Sequence, residues 1–350
     1  MDIASRPPAT SPPRFLQVLV GTQNALGLVT LRGQKVTPLE VHNTAGMYYG
    51  ITWDAYRFYF VARGAPTNLL SASKDPSGLA AFVDMPAPIT TSMDQGIPSP
   101  HQCHYNGILW ITDTQTCSLL KYDPASMLWG DSVKWGGTQN AHLNSVWGGS
   151  TLWVVEHTRD NPYKYIRRLI PGALDPRIPE LFDTLTLHLP ELQQGSGQQG
   201  LHNVYREGES VYTLGPAHVL RIDLVKAQIE IKTLEEVTPK AHYLRGLARI
   251  RGMGDGLGDE GDDYFIIGRS NAQAREDRGY GSSALLCYNR DWRLLAKWDL
   301  PPSWGQVMEV RGLTHEDRAH NGMTPPHMRK GQKWSFRTWE PTKRGTPGNT

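Results

Sequence analysis

A β-hairpin preceded by a histidine recurs along this sequence, and this repeat constrains the fold more than any other feature. After His202, residues 203–213 contain a short strand, a tight Glu-Gly turn and a second strand. The same arrangement follows His101, His142 and His242, and the four histidines are separated by 41, 60 and 40 residues. A four-stranded propeller blade takes about 40–50 residues, so the spacing predicts one blade for each histidine.

Two further hairpins without a histidine extend the repeat at its ends. Residues 47–53 come before the four histidine-led hairpins and residues 309–314 come after them, which gives six openers and predicts six blades. The last opener has only a short strand before a polar C-terminal region, whereas residues 15–41 supply three strands with no opener. Joining these pieces closes the ring with strands from both ends, which protects the sheet edges.

We therefore predict an all-β fold with a single β-propeller of six blades over residues 15–314, closed by N- and C-terminal strands. The Pro- and Ser-rich residues 1–14 are predicted to be a disordered lead. Residues 315–350 have four prolines and no apolar periodicity, which predicts a mobile basic tail. A two-sheet sandwich or several small all-β modules are the alternative.

Composition indicates which partners and which cellular compartment to expect. The formal net charge is +2, which gives no basis for binding nucleic acid or an acidic membrane surface. No apolar run approaches the roughly 18–20 residues that a membrane helix needs. The three cysteines, Cys103, Cys117 and Cys287, form neither a metal-type pair nor an even disulfide set. We therefore predict a cytoplasmic protein with no nucleic-acid or membrane partner.

The histidines themselves predict a metal centre. The first strand of each propeller blade lines the central channel, so equivalent side chains far apart in sequence become neighbours around it. Four imidazoles placed in this way, His101, His142, His202 and His242, suit a divalent transition metal. Fe(II) is favoured because no carboxylate is an assured ligand, with Zn(II), Mn(II) and Cu(II) as alternatives. A metal-free polar pocket and structural hydrogen bonds between blades are the competing interpretations.

The register of the repeat depends on where counting starts. Counting back from each hairpin turn aligns Tyr49, His101, Asn144, His202, Arg245 and Arg311. His101 and His202 belong to both registers, and His142 shares a strand face with Asn144, two residues later. His242 lies three residues before Arg245, which places it on the opposite face unless the strand begins after it.

Polar side chains in this register are the candidates for catalysis and substrate binding. The predicted catalytic residues are Tyr49, Asn144 and Glu309, the last of which lies two residues before Arg311. Arg245 and Arg311 share an Arg-Gly-Leu context and suit a carboxylate, phosphate or sulfate on the ligand. Arg269, at the end of a strand, is a third candidate for the same pocket. Salt bridges between neighbouring blades are the alternative role for Arg245 and Arg311.

The motif Arg-Gly-Leu-Ala at residues 245–248, followed by Phe-Ile-Ile-Gly-Arg-Ser at residues 265–270, resembles a bacterial propeller family of unknown function. Members of that family carry histidine-led hairpins, and the resemblance covers roughly residues 40–315 and implies a fold without an activity. More remotely, the chain looks like the gluconolactonase-like six-bladed propellers, although His, Tyr and Arg replace most of their metal ligands. It is also similar in its site to the carotenoid-cleaving oxygenases, which hold iron with four histidines on seven blades.

These features predict a metal-dependent enzyme that acts on a small anionic substrate at a histidine-lined channel. The reaction would be an iron-dependent oxygenation, or a metal-assisted hydrolysis or elimination. The alternative function is a non-catalytic propeller that binds a small ligand or a protein partner across its face.

Overall fold

The computed structural model describes residues 8–32, 35–42, 47–63, 69–74, 80–84, 99–130, 132–134, 141–148, 151–158, 163–169, 182–188, 200–251, 263–272, 275–313 and 317–320. These residues form β-strands joined by turns, with short 3-10 segments at Arg275–Gly279 and Pro302–Trp304. No helical segment in this part of the chain is long and apolar enough to cross a membrane.

The described strands form six antiparallel sheets. The closing sheet contains Leu16–Thr22 (β1), Leu26–Arg32 (β2) and Lys35–His42 (β3), together with the last of the described strands. The next contains Met47–Trp53 (β4), Arg57–Arg63 (β5), Leu69–Lys74 (β6) and Ala80–Asp84 (β7). The third contains Pro100–Tyr105 (β8), Leu109–Asp113 (β9), Ser118–Asp123 (β10), Leu128–Trp129 (β11) and Val133–Lys134 (β12).

The remaining three sheets follow the same plan. The fourth contains Ala141–Gly148 (β13), Leu152–Thr158 (β14), Tyr163–Leu169 (β15) and Phe182–His188 (β16). The fifth contains His202–Glu207 (β17), Ser210–Leu214 (β18), His218–Asp223 (β19) and Gln228–Thr233 (β20). The sixth contains His242–Arg251 (β21), Asp263–Asn271 (β22), Ser283–Asn289 (β23) and Leu294–Asp299 (β24), and Val307–Gly312 (β25) then returns to the closing sheet.

The sheets are arranged around a central channel. The strands β4, β8, β13, β17, β21 and β25, which we call the inner strands, contact one another in that order, and β25 contacts β4 to complete the circle. This arrangement is a β-propeller, and the predicted all-β propeller fold is confirmed. The predicted closure from both chain ends is also present, because β25 pairs with β1 from Val18↔Gly312 to Thr22↔Val307.

Burial falls from the channel outwards, as the sequences of the strands indicate. Every residue of β25 is buried, as are the eight central residues of β21. Strands that are buried on both faces are rich in apolar residues throughout. The outermost strand β20, Gln-Ile-Glu-Ile-Lys-Thr, has no buried residue and carries its charges in solvent. The core therefore lies around the channel and between neighbouring sheets.

Apolar side chains between the sheets hold the ring together. Trp53, Phe58 and Phe60 of the β4–β5 hairpin pack against Leu19 and Leu26 of the closing sheet. All five are fully buried, and burying a side chain of this size contributes about 1.5–3 kcal/mol. The contact joins residues from the sheet that contains both chain ends to the sheet that follows it.

A β-bulge interrupts the pairing of every inner strand near its beginning. The shifts lie between Tyr48 and Gly50, Pro100 and Cys103, Leu143 and Ser145, His202 and Val204, Arg245 and Leu247, and opposite residues 307–309 in β25. A bulge adds one residue to one strand and turns the following side chains to the other face. Asn203 and Gly246, at two of these bulges, have φ angles of 51° and 76°.

Short segments of the predicted lead and tail pack against the propeller. Ala9 is buried, and its carbonyl oxygen accepts a hydrogen bond of 2.8 Å from Asn289 Nδ2. Asp317 and His320 have no exposed surface, and Asp317 pairs with Ile250 of β21. We call residues 317–320 the plug. The predicted boundaries of the lead at residue 14 and of the tail at residue 315 therefore do not coincide with the limits of the packed structure, because hydrogen bonds and burial hold these segments.

Candidate functional site

Five polar or aromatic side chains meet at the end of the channel where the inner strands begin. They are Tyr49 of β4, His101 of β8, His202 of β17, and Tyr243 and Arg245 of β21, and we call them the upper ring. The bulge in each strand aims these side chains into the channel. Their exposed fractions are between 3% and 8%, and Arg245 keeps 8% of its surface in solvent. The ring is therefore buried.

The members of the upper ring contact one another in a closed circle. The Tyr49 and His101 rings are 4.6 Å apart, the His101 and His202 rings 5.3 Å, and the His202 and Tyr243 rings 5.6 Å, between centroids. The Arg245 guanidinium closes the circle, with its central carbon 5.0 Å from the Tyr243 ring centre and 5.3 Å from that of Tyr49. Arg245 therefore lies against the faces of two tyrosines.

Hydrogen bonds fix the orientation of both histidines. His101 Nδ1 lies 2.8 Å from the carbonyl oxygen of Asn144, and because a carbonyl only accepts, the imidazole donates through Nδ1. His202 Nε2 bonds to the Tyr243 hydroxyl and lies 3.4 Å from Arg245 Nη2, which can only donate. Arg245 Nε also donates to the Tyr243 hydroxyl, at 3.2 Å. His202 therefore presents an acceptor nitrogen to a tyrosine and a cation.

Arg245 differs from the other buried arginines in its partners. Arg249 pairs with Asp263 at 2.7 Å, Arg269 with Glu236 at 3.3 Å, and Arg311 with Glu309 at 3.0 Å. Within the described ranges Arg245 has no carboxylate partner, and its third hydrogen bond, from Nη1, goes to the thioether of Met308 at 3.0 Å. A thioether is a weak acceptor. Arg245 is thus a buried cation without a counter-charge in the described part of the chain.

The charge of Arg245 affects the phenol beside it. Burial raises the pKa of Tyr49, but the Arg245 guanidinium, with Arg63 and Arg278, outweighs this and holds the pKa below its usual value. Burial opposes the charge on Arg245 in the same way, but Tyr243 and Tyr49 outweigh it and raise the pKa of the guanidinium. A charged Arg245 and a Tyr49 that ionises more easily are the electrostatic result.

A second polar layer lies next to the upper ring, in the middle of the channel. It consists of Gln102, Asn203, Glu309 and Arg311, which we call the hub. The fully buried Glu309 carboxylate accepts from Gln102 Nε2 at 2.6 Å, Asn203 Nδ2 at 2.9 Å and Arg311 Nη2 at 3.2 Å. Burial raises the pKa of Glu309, and Arg311 and these amides act against it.

The hub connects all six inner strands. Its own members come from β8, β17 and β25, and three bonds extend from it to the other strands. Gln102 Oε1 accepts from Val146 N–H at 3.1 Å, Asn203 Oδ1 accepts from Gly246 N–H at 2.8 Å, and Arg311 Nε donates to Ile51 O at 3.1 Å. The hub is therefore a polar cross-link through the centre of the propeller.

Four of the predicted site residues have structural partners. Glu309 and Arg311 bond to each other within the hub, and Asn144 donates from Nδ2 to Leu201 O at 2.9 Å. Arg269 of β22 donates to both the carbonyl and the carboxylate of Glu236. The catalytic role of Asn144 and Glu309, and the substrate-binding role of Arg311 and Arg269, stay predictions.

The four predicted metal ligands are not equivalent. His101 and His202 meet in the upper ring, and His142 is half-buried on β13, where it is paired with His157 of β14. His242 is half-buried at the start of β21, and its Nδ1 accepts from Thr238 N–H at 2.8 Å. Burial and Arg269 lower the pKa of His242. Tyr243, one residue later, takes the channel position instead.

The donor set of the upper ring does not fit a divalent cation. In the described part of the chain no three His, Cys, Asp or Glu side chains form a group that could hold a metal ion. His202 Nε2, which would be the ligand atom, lies 3.4 Å from a cationic nitrogen of Arg245. A second positive charge at that distance would be repelled. The chemistry of these residues favours an anion instead.

Sequence reasoning missed Tyr243, Met308, Gln102 and Asn203. All four lie next to residues that were selected. Bulges explain the difference of one position for Met308, Gln102 and Asn203. Tyr243 shares a face with Arg245 by simple alternation, because it lies two residues earlier with no shift between them. A bulge leaves no clear mark in the sequence, because it changes the count along a strand and not its composition. The only signal was the disagreement between the two registers at His242 and Arg245.

The fold and the site together define a β-propeller whose channel carries a buried guanidinium in a ring of tyrosines and histidines. No family model matches the sequence, and no curated protein matches it. Among solved structures, a chain in the crystal structure of a nidogen/laminin complex is similar with a TM-score of 0.54 at 9% identity, over 84% of this chain and 97% of that chain. At this identity the likeness shows the fold alone.

Two other solved structures are similar at lower scores. Kuenenia stuttgartiensis hydrazine synthase gives a TM-score of 0.42 at 12% identity, over 82% of this chain and 80% of that chain. The dihydro-heme d1 dehydrogenase NirN, in complex with DHE, gives 0.40 at 10% identity, over 85% and 66%. Scores in this range carry no argument about function.

Proposed function

We propose that this protein is an enzyme that binds a small carboxylate at the upper ring and acts on it by proton transfer. Arg245 would bind the carboxylate, and Tyr49 and His202 would exchange protons with the substrate. The observation that carries this proposal is the buried guanidinium of Arg245, which has no carboxylate partner in the described residues, whereas the three other buried arginines each have one.

The contacts that Arg245 already makes stabilise its buried charge by less than the burial costs, which favours an external anion as its partner. Removing a charged group from water costs several kcal/mol even after relaxation. Each of the two cation–π contacts with tyrosine contributes only about 0.5–2 kcal/mol. An ion pair with a bound carboxylate, made bidentate by the planar guanidinium, would supply the missing stabilisation. One unpaired cation also matches one negative charge on the ligand.

The groups around Arg245 suit acid–base chemistry. A tyrosine whose pKa lies below its usual value is a better base near neutral pH than a free phenol. His202 and the Tyr243 hydroxyl form a hydrogen-bonded pair next to the same guanidinium. A carboxylate on Arg245 would therefore have a candidate base on one side and a candidate proton relay on the other.

Ligand-dependent thermal unfolding tests the binding step. We expect acetate, glycolate or benzoate to raise the Tm, whereas the matched neutral amides and sodium chloride at equal ionic strength do not. Stabilisation by a ligand at 100 times its Kd is about 2.7 kcal/mol. Arg245→Met should abolish the effect, and Arg269→Met, which removes a buried arginine that has a partner, should retain it.

A second variant uses the thioether beside the guanidinium. Met308→Glu would place a carboxylate next to Arg245 Nη1, where Met308 Sδ lies at 3.0 Å. This internal anion should compete with the ligand and remove the carboxylate-dependent rise in Tm. A carboxylate effect that survives in both Arg245→Met and Met308→Glu would exclude the upper ring as the binding site.

The alternative is a propeller that binds the anion, or a protein partner, without reaction. The mutual packing of the upper ring favours it, because His101, His202 and Tyr243 already bond to one another or to the backbone. Proton exchange at the α-carbon of a bound carboxylate distinguishes the enzyme from the binding protein. This exchange is measured as deuterium incorporation from D2O. Binding without incorporation, unchanged by Tyr49→Phe, would support the non-catalytic form.

Three further predictions from the sequence stay predictions. Metal dependence, with Fe(II) favoured, is tested by elemental analysis of the purified protein and of the double variant His101→Ala/His202→Ala. Membership of the bacterial family with the Arg-Gly-Leu-Ala strand rests on residues 245–248 and 265–270. The cytoplasmic location rests on the cysteines, of which Cys103 and Cys287 are buried thiols outside any disulfide.

A further inference from the structure

The plug closes the channel at the end opposite the upper ring. Its residues contact the last part of every inner strand. His320 contacts four residues of these strands: Thr52 and Trp53 of β4, His104 of β8 and Trp147 of β13.

Two charged residues of the plug contact the remaining three inner strands. Arg318 pairs with Glu207 of β17 at 3.1 Å. Asp317 accepts hydrogen bonds of 2.9 Å from the backbone N–H groups of Arg249 in β21 and Gly312 in β25.

Two buried histidines meet at the centre of this end. The His104 and His320 rings are 5.6 Å apart, edge to face, and neither side chain is more than 1% exposed. His320 Nε2 lies 3.1 Å from Thr52 Oγ1, and its Nδ1 has no hydrogen-bond partner in the described residues. His104 Nε2 bonds to the Gly148 carbonyl oxygen at 2.8 Å.

Among the described residues, the charged groups around this pair offer no carboxylate to a protonated imidazole. Arg311 of the hub is the nearest cation and opposes a second positive charge. Asp317 directs its oxygens to the N–H groups of Arg249, Gly312 and Ala319. Glu207 and Asp263 are paired with Arg249, and Glu207 also with Arg318. Thr52, Trp53 and Trp147, from β4 and β13, do not titrate in this range.

We propose that the plug is an acid-released closure of the channel, in which protonation of His104 and His320 expels residues 317–320. Expulsion would open the second end of the channel and free all six inner strands from a common contact. The proposal does not depend on the function of the upper ring.

The sign of the effect follows from the three titrating groups. Burial, with Arg311, lowers the pKa of His104 to about 3, and burial, Arg311 and His104 lower that of His320. Each histidine therefore stabilises the closed form above about pH 6.5 and favours release below it. Burial raises the pKa of Asp317 to about 6, so this carboxyl favours the closed form as the pH falls.

The two histidines outweigh the single carboxyl. One group whose pKa differs between the two forms changes the equilibrium by up to about tenfold per pH unit. Two histidines favour release by up to about a hundredfold per unit, and Asp317 offsets about tenfold of this below pH 6. The closed form should therefore lose up to about tenfold in population ratio per pH unit between about pH 6 and 4.

Hydrogen exchange of the amides that the plug protects tests this proposal. The reporters are the N–H groups of Arg249 and Gly312, which donate to Asp317, and of Arg318, which donates to the Arg249 carbonyl. After correction for intrinsic exchange, we expect their protection to fall up to about tenfold per pH unit. The amide of Leu220, paired with Thr213 within its own sheet, serves as the internal reference.

Variants separate the plug from general acid unfolding. His104→Gln/His320→Gln should remove the fall and leave protection constant or rising as the pH drops, because Asp317 is the one of these three groups that remains. His320→Gln alone should give a nearly flat profile, and this single variant carries the test if the double variant does not fold. His218→Gln, on β19 away from the plug, should behave as the parent protein. Protection that is independent of pH in the parent, or that falls equally in His320→Gln, would overturn the proposal.

Discussion

Arg311 and Arg245 are buried in the same channel, and we expect them to affect the stability of the fold in opposite ways. Arg311 is neutralised by Glu309 and bonds to two inner strands beyond its own. Arg245 has two tyrosine faces and a thioether, and no carboxylate in the described residues. An unpaired buried charge lowers stability, whereas removing one partner of a buried pair is destabilising because it leaves the other charge uncompensated. Residues retained at such a cost are candidates for function.

At this scale we expect Arg245→Met to leave the free energy of unfolding unchanged or to raise it. Methionine matches the arginine stem in length and would pack against Met308 and the two tyrosine rings, and replacing buried charge by apolar groups is often stabilising by about 1–4 kcal/mol. Urea unfolding in the absence of carboxylates measures the change. A loss of several kcal/mol would show that Arg245 serves the fold and not a ligand.

Arg311→Met should have the contrary effect. Removing one partner of a buried pair leaves the other charge uncompensated, which costs about 3–5 kcal/mol. Glu309 would keep its amide donors from Gln102 and Asn203 but lose its counter-charge. In the same urea titration, we expect the unfolding midpoint of Arg245→Met to be at or above that of the parent protein and the midpoint of Arg311→Met to be below it. Equal midpoints for the two variants would contradict the distinction between hub and upper ring.

At the scale of elements, the bulge is the device that builds the site. Gly246 illustrates it, because its φ is 76° and an added Cβ would lie 2.6 Å from the backbone nitrogen of Val310. The bulge turns Arg245 into the channel and lets β21 approach β25 closely. Gly208, in the β17–β18 turn, has a similar φ of 53° but faces open space.

Substituting these two glycines distinguishes the cost of backbone strain from the cost of close contact with a neighbouring strand. Gly208→Ala should cost about 1–2 kcal/mol, which is the penalty for the left-handed conformation alone. Gly246→Ala should cost more, because the added methyl group meets backbone that cannot move without parting two inner strands. Chemical denaturation of both variants gives the comparison. Equal losses would mean that the approach of β21 to β25 is not constrained at this glycine.

The elements could be predicted from sequence further than the site could. Period-two patterning marks a strand locally, and a hairpin that recurs at blade-like spacing indicates how many sheets to expect. Which side chain faces the channel depends on one extra residue in each strand. That residue added Asn203 beside His202. Tyr243 faces the channel in place of His242 because it lies two residues before Arg245, with no shift between them. The plug was missed because its burial depends on contacts with six distant strands.

At the scale of the molecule, ring closure makes the sheets interdependent. The closing sheet takes its inner strand from residues 307–312 and its other strands from residues 16–42. The hub then joins that inner strand to the rest through Glu309 and Arg311. Breaking the closure removes both a sheet partner and the central cross-link.

Two truncations test this interdependence. Ending the chain after Trp304 removes β25 and the hub carboxylate, and should abolish the single cooperative unfolding transition. Ending it after His320 keeps β25 and the plug, and should preserve that transition. Circular dichroism during urea unfolding reads out both. A cooperative transition that survives the shorter truncation would show that the sheets are stable without closure.

The pairing of β1 with β25 also has a consequence during synthesis. Strands β1 to β3 leave the ribosome before the other described strands, yet their partner β25 is made only after five other sheets. Until then β1 exposes an unpaired edge of apolar residues, which invites pairing with neighbouring nascent chains. Strands that are made early thus complete their sheet late, and chaperone demand should be highest until β25 has been translated.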